Sequence, residues 1–372
     1  MKMIPAFRAT GVAAALLITG CAGPGYFVQA AGGQMSVLNA RRPIAEVLSD
    51  AAAPAAVRTR LELVQRARDF AARELKLDAH GSFATYADLG RPYAVWNVIA
   101  TPEFSLTPKR WCFPIAGCIG YRGYFEQRKA EKYAAQLRRK GLDVHVGGAA
   151  AYSTLGWFRD PVLSSTLRYD DAQAVAVVFH ELAHARLYLR GDTTFNESFA
   201  TAVEEQGMHR FLAGADGAAL LAAWQTSRAR EQGFHELLGN TRTRLAALYA
   251  GDLDEHAMRA EKSRALDEAR AAHTQLKLSW GGYAGYDRFF DAGLNNARLA
   301  AVAFYRQDVA AFTQLIVESG SDMQVFYQRA RALSRLDPAA RRVALDALAE
   351  RAQAAKKSAT APTKLSAGAA AD

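Results

Sequence analysis

One stretch constrains this chain more than any other: Val177 to Glu205, which reads VVFHELAHARLYLRGDTTFNESFATAVEE. Its apolar residues recur at helical spacing, and His180 and His184 stand four apart with Glu181 between them. On an α-helix, residues i and i+4 lie one above the other on a single face, so both imidazoles can converge on one ion. Neutral histidines in tetrahedral geometry suit Zn²⁺. Glu181 projects to one side of the pair, where its carboxylate can take a proton from a metal-activated water. Two surface histidines beside a solvated glutamate would spell the same letters, so the pattern needs a third partner.

A catalytic zinc takes three protein ligands and keeps one position open. The segment Asn196-Glu197-Ser198-Phe199-Ala200 offers Glu197 as the third ligand, on the helix that follows. From His184 to Gly191 a continuing helix would run about 10 Å past the site. Gly191 is the expected helix stop, since glycine tolerates the left-handed turn there. The six residues to Glu197 can span up to about 20 Å, enough to return beside the first helix. Position 190 is arginine and no glycine–histidine continuation follows, so a three-histidine set is absent. Asp170 and Asp171 suit the start of the first helix.

HELAH followed by NESFATAVEE resembles the gluzincins, whose third zinc ligand is the glutamate of an NE-containing helix. The chain as a whole more closely resembles the putative-aminopeptidase family of bacterial lipoproteins. That resemblance runs from Cys21 to about Phe312 and includes YFVQAAGGQ at Tyr26, DLGRPYAVWNV at Asp88, WCFPIAGCIGYRGYF at Trp111, AYSTLGWFRDP at Ala151 and NNARL at Asn295. It implies that His180, His184 and Glu197 bind zinc and that Glu181 is the catalytic base. The GxMEN-type segment with which large zinc aminopeptidases hold a free amine does not occur here.

Met1 to Gly20 reads as a targeting segment, with Lys2 and Arg8 at its positive end and a short apolar core from Gly11 to Thr19. The core is too short for a permanent membrane span. It leads into Leu17-Ile18-Thr19-Gly20-Cys21, which resembles the lipobox of bacterial lipoproteins. Cys21 is then the lipidated residue and the membrane anchor. The expected location is the cell envelope, on the outer membrane if the cell has two, because Ala22 rather than aspartate follows. Several acyl chains on one residue give durable attachment. The remaining pair, Cys112 and Cys118, is expected to form a disulfide in that oxidising compartment. The net charge of +9 is spread along helical stretches without an aromatic–basic pattern, so no nucleic-acid partner is expected.

Ile44 to Leu75 reads as helix, broken near Pro54. Phe83 to Tyr86, Tyr93 to Ile99, Val144 to Val146 and Ala150 to Leu155 read as strands, and Tyr124 to Lys140 as an amphipathic helix ending at Gly141. The last strand lies just upstream of the active helix. In zincins that position is an exposed sheet edge on which substrate pairs, so Tyr152, Ser153 and Thr154 are expected to bind substrate, unless the strand is interior. Glu204, seven after Glu197, either orients a ligand histidine or stands solvated. Leu220 to Tyr249 and Leu253 to Lys277 form a helical hairpin turning at Gly251-Asp252. On the glycine-rich break that follows, Tyr286 either packs or faces the oxyanion of a tetrahedral intermediate. It is preferred to Tyr283 because Phe289 and Phe290 would anchor it. Asn295 to Arg298 could cap or line the cleft.

The expected fold is α+β and zincin-like: a small mixed sheet lobe (about 21–160), then the active helix and a predominantly helical lobe (about 161–350). A disordered, Ala/Lys/Ser/Thr-rich tail is expected over 351–372. The expected activity is zinc-dependent hydrolysis of a peptide or protein substrate. The rivals are an envelope endopeptidase and a non-catalytic zinc-binding lipoprotein.

Overall fold

The structure, a computed structural model, describes residues 23–360 apart from 80, 114–116, 153, 155–158, 169, 214–216 and 304–306. The expected targeting segment with Cys21, and Ser153, lie outside the described residues.

The first half holds small mixed sheets among helices. After α1 (Pro24–Asn39) come β1 (Arg41–Pro43), α2 (Ile44–Ser49) and α3 (Ala55–Glu74), the last two broken at Pro54 as expected. Next are β2 (Thr85–Ala87), β3 (Val95–Thr101), β4 (Trp111–Phe113), β5 (Gly117–Ile119) and β6 (Arg122–Tyr124). Helix α4 (Gln127–Arg138), β7 (Asp143–Ala149) and β8 (Val162–Leu163) complete this half. One sheet has the order β1-β2-β8, antiparallel then parallel, and a second, fully antiparallel, has the order β6-β3-β7. Strand β3 is central and buried on both faces, which its run VWNVIAT of apolar and β-branched residues permits. β4 and β5 form a separate ladder in which Cys112 faces Cys118, joined by a disulfide.

The expected strand at Ala150–Leu155 does not form among its described residues. The ladder's last partners are Val95 and Ala149, with one further bond from the Ala94 N–H to the Ala149 carbonyl, and Pro92 just upstream has no N–H to extend it. Tyr152 and Thr154 bond elsewhere. The Tyr152 hydroxyl donates to Gln34 Oε1 at 2.6 Å, and the Asp160 carboxylate accepts from the Thr154 N–H at 2.9 Å and its hydroxyl at 2.8 Å.

The second half is helical: α5 (Asp171–Arg186), α6 (Thr193–Phe211), α7 (Ala218–Tyr249), α8 (Glu255–Ser279), α9 (Asp287–Asp291), α10 (Asn296–Ala303), α11 (Val309–Glu318), α12 (Met323–Arg335) and α13 (Pro338–Thr360). The hairpin of α7 and α8 falls where periodicity placed it. Helix α13 continues to Thr360, well into the stretch expected to be a tail, on alanine and lysine residues of high helix propensity.

The main core gathers α3, α5, α6, α11 and α12. Val175, Phe179 and Leu182 of α5 meet Leu61, Val64 and Ala67 of α3, and Phe195, Phe199 and Val203 of α6. Phe199 stacks on Phe326 with centroids 5.6 Å apart and packs edge-on against Phe312. Truncating a side chain buried like Phe199 costs about 3–5 kcal/mol. Gly207 lets α6 come close: a Cβ there would stand 2.7 Å from both Leu75 Cδ1 and Phe179 Cδ2. Both α5 and α6 are thus buried nearly all round, and a polar group on either must find its partner inside.

Two contacts tie the helical half to the sheets. Lys262 of α8 donates to Asp143 Oδ2 at 2.7 Å and to the Glu103 carbonyl at 2.8 Å. The fully buried Asn296 donates to the same two residues, through its N–H at 3.0 Å and its amide at 2.8 Å. Asn295 and Asn296 therefore fasten α10 to β7, while Arg298 lines a cavity.

Candidate metal centre

Helix α5 begins at Asp170, whose carboxylate accepts from the Gln173 N–H at 2.8 Å. Three turns on, His180 and His184 face each other with Nε2 atoms 3.2 Å apart. The helix ends at Arg186, five residues short of the expected stop at Gly191. Leu187 is already extended, with φ −149°. The cause is a contact across the turn, since the buried Asn196 amide bonds both backbone groups of Leu189 and draws the chain off the helix. Gly191 takes the left-handed turn (φ +84°) beyond it, and Asp192 caps α6 by accepting from the Phe195 N–H at 3.0 Å. The disulfide hairpin braces this turn: Arg110 donates to the Cys118 carbonyl at 2.6 Å and to the Gly191 carbonyl at 2.8 Å.

The short connection brings Glu197 directly to the histidines. Its Oε2 lies 3.3 Å from His180 Nε2 and 3.7 Å from His184 Nε2. His180, His184 and Glu197 form a group that could hold a metal, each offering one ligand atom within 4.8 Å of the others. Glu204, one turn pair further along α6, is buried and accepts from His180 Nδ1 at 3.1 Å. A proton fixed on Nδ1 leaves the Nε2 lone pair aimed at the group. Arg228 of α7 holds the other Glu204 oxygen and also pairs with Glu231, which lies 3.4 Å from His235.

The electrostatics follow from burial and crowding. Burial acts to lower the His180 pKa, but the Glu197 and Glu204 carboxylates outweigh it and hold it well above the ordinary value. Burial acts to raise Glu197, and the neighbouring His184 and His180 instead hold it at about 2. Glu181 is pushed up by burial, against the pull of the two histidines. Its Oε2 is buried without a hydrogen-bond partner among the described residues, and so is His184 Nδ1. Two imidazole nitrogens and a carboxylate oxygen within 3.7 Å of one another make an electron-rich donor set, which fits a divalent cation of the zinc type.

Cavities of about 490 and 460 Å³ open along one face of the helix, and His180 and Glu181 line both. Tyr286 lines the first, stacked on Phe234 with centroids 4.3 Å apart. Tyr152 and Thr154 line the second, together with Tyr121 and Tyr188. Sequence reading passed over Tyr121. It is largely buried, and burial followed by the Glu197 carboxylate keeps its phenol protonated. Its only sequence signal was its place in an aromatic stretch after Cys118. Arg228 carried none, being one arginine among many on a long helix.

Fold and site together define an α+β protein with a largely buried His-His-Glu group able to hold a metal. The family model described as Putative aminopeptidase matches residues 25–345. The chain belongs to that family, which implies a peptide substrate. No curated protein and no solved structure matches the chain.

Proposed function

We propose that this protein is a zinc-dependent peptidase. The observation that carries the reading is the convergence of His180, His184 and Glu197 beside a buried Glu181 carboxylate with an unpartnered oxygen. A site built only to brace the fold gains nothing from a base at that position. Zinc held by the three residues would polarise a peptide carbonyl and acidify water beside it. Glu181 takes the proton of the attacking water and delivers it to the leaving amine, a transfer its raised pKa favours. Glu204, backed by Arg228, keeps the His180 ring in one tautomer and one orientation. Tyr286 or Tyr121, phenols that burial keeps protonated in the two cavities, supplies a hydrogen bond to the oxyanion.

The family description favours removal of amino-terminal residues. An endopeptidase is the second reading, because two cavities share His180 and Glu181 and give substrate room to extend past Glu181. Attachment to the envelope membrane through lipid on Cys21 belongs to the proposal and rests on the Leu17–Cys21 spelling. Among the described residues no helix is long and apolar enough to cross a membrane. Digestion of a peptide library with free and with acetylated amino termini tests the reading. Trimming of the free set alone supports the aminopeptidase, and internal cuts in both support the endopeptidase. No zinc-dependent cleavage of either would remove the peptidase.

A further inference from the structure

Four arginines from separate elements line one cavity of about 780 Å³: Arg138 at the end of α4, Arg168 after β8, Arg288 in α9 and Arg298 in α10. Among the described residues the one acidic side chain lining it is Glu131, 3.7 Å from Arg138. No carboxylate among the described residues pairs with Arg168 or Arg288, and both are exposed. Arg298 is anchored by the Arg288 and Phe289 carbonyls, while its Nε is buried without a partner. Guanidiniums brought together around one concave space repel one another, and an anion relieves that repulsion. The field is felt at His145 on the cavity wall. Burial, then Arg298 and Arg138, hold its pKa at about 4, so it stays neutral near pH 7.

The cavity adjoins the metal cleft. His145 and Phe289 line both it and the cavity that contains His180, Glu181 and Tyr286. Trp96 and the Gly147-Gly148 stretch of β7 also line the arginine cavity, and among the described residues β7 ends the sheet β6-β3-β7. Guanidinium matches carboxylate in planar, two-pronged geometry. We propose that the arginine cavity is a subsite for a substrate carboxylate, so that the preferred substrates are peptides bearing a free carboxyl terminus or an acidic side chain beyond the cleaved bond. This rests on reading the adjoining cleft as a peptidase site.

The test reads binding, so that it stands apart from turnover. Protein carrying Glu181→Gln is titrated calorimetrically with three alanine-based peptides: one with a free carboxyl terminus, one amidated, and one amidated but with glutamate near that end. At least one acidic peptide binds about tenfold or more tightly than the plain amide, with an advantage that shrinks as salt is raised. The peptide that gains identifies the source of the carboxylate. Adding Arg168→Gln and Arg288→Gln together, at two exposed positions, erases the advantage. Equal affinity for all three peptides, binding of none, or an advantage that survives the double change overturns the subsite. Acidic peptides that bind with this preference but resist cleavage by the unchanged protein keep the subsite and remove the peptidase reading.

Discussion

Asn196 satisfies both backbone groups of Leu189: its amide oxygen accepts from the Leu189 N–H at 2.7 Å, and its amide nitrogen donates to the Leu189 carbonyl at 2.8 Å. This clamp ends α5 just after its second histidine and sets the register in which α6 presents Glu197. The residue beside Glu197 is therefore the one that fixes its position.

Replacing Asn196 with alanine removes both bonds and should cost about 2–3 kcal/mol of stability. Asn196→Asp keeps the acceptor and should recover part of the loss. Urea unfolding measures both, and Asn196→Ala with wild-type stability would show that the turn holds itself.

The HELAH and NESFA pattern, the helical hairpin and the turn at Gly251 were legible because they are local: spacing on one helix, or a stop between two periodic runs. The true end of α5 was not. Leu187-Tyr188-Leu189 is compatible with helix, and only a side chain across the turn stops it. Ala150 to Leu155 has strand-like composition, but a strand needs a partner, and β3 ends its ladder at Val95. Glu204 stood undecided between solvent and histidine until the fold placed it against His180. The arginine cavity is invisible in sequence, since its cations come from four separate elements.

Arg228 neutralises Glu204 within a largely buried cluster, so Arg228→Gln should leave Glu204 a poor anchor for His180. Loss of such outer support typically weakens metal binding 10- to 100-fold. Competition with a chromogenic chelator measures it, and Arg228→Lys should lose less. Unchanged zinc affinity in Arg228→Gln would separate the arginine from the site.

The disulfide hairpin should matter to the turn it braces. Gly117 has φ +77°, and a Cβ on it would stand 2.9 Å from the Gly191 backbone nitrogen. Gly117→Ala should therefore destabilise the protein by about 1–3 kcal/mol through the left-handed backbone and the clash. Reduction of Cys112–Cys118 opens a small ring and should cost on the order of 2 kcal/mol. Thermal unfolding with and without reductant checks both, and no change in either would detach the hairpin from the turn.

Glu197→Ala should yield protein with substoichiometric zinc where the wild type binds one ion per chain, as read by elemental analysis of protein purified without added metal. Chelation should lower the unfolding temperature of the wild type and leave the variant nearly unmoved, because a bound ion stabilises only the state that holds it. Full occupancy in Glu197→Ala would remove the glutamate from the ligand set.

The central claim is that Glu181 is the base of a zinc-dependent hydrolysis and not a ligand, and Glu181→Gln tests it most directly. The change keeps size and removes basicity. Zinc content and fold should be retained, while turnover of a library-identified peptide falls by about 10²- to 10⁴-fold or more, with little change in substrate affinity. Retained zinc with near-wild-type turnover would contradict the mechanism.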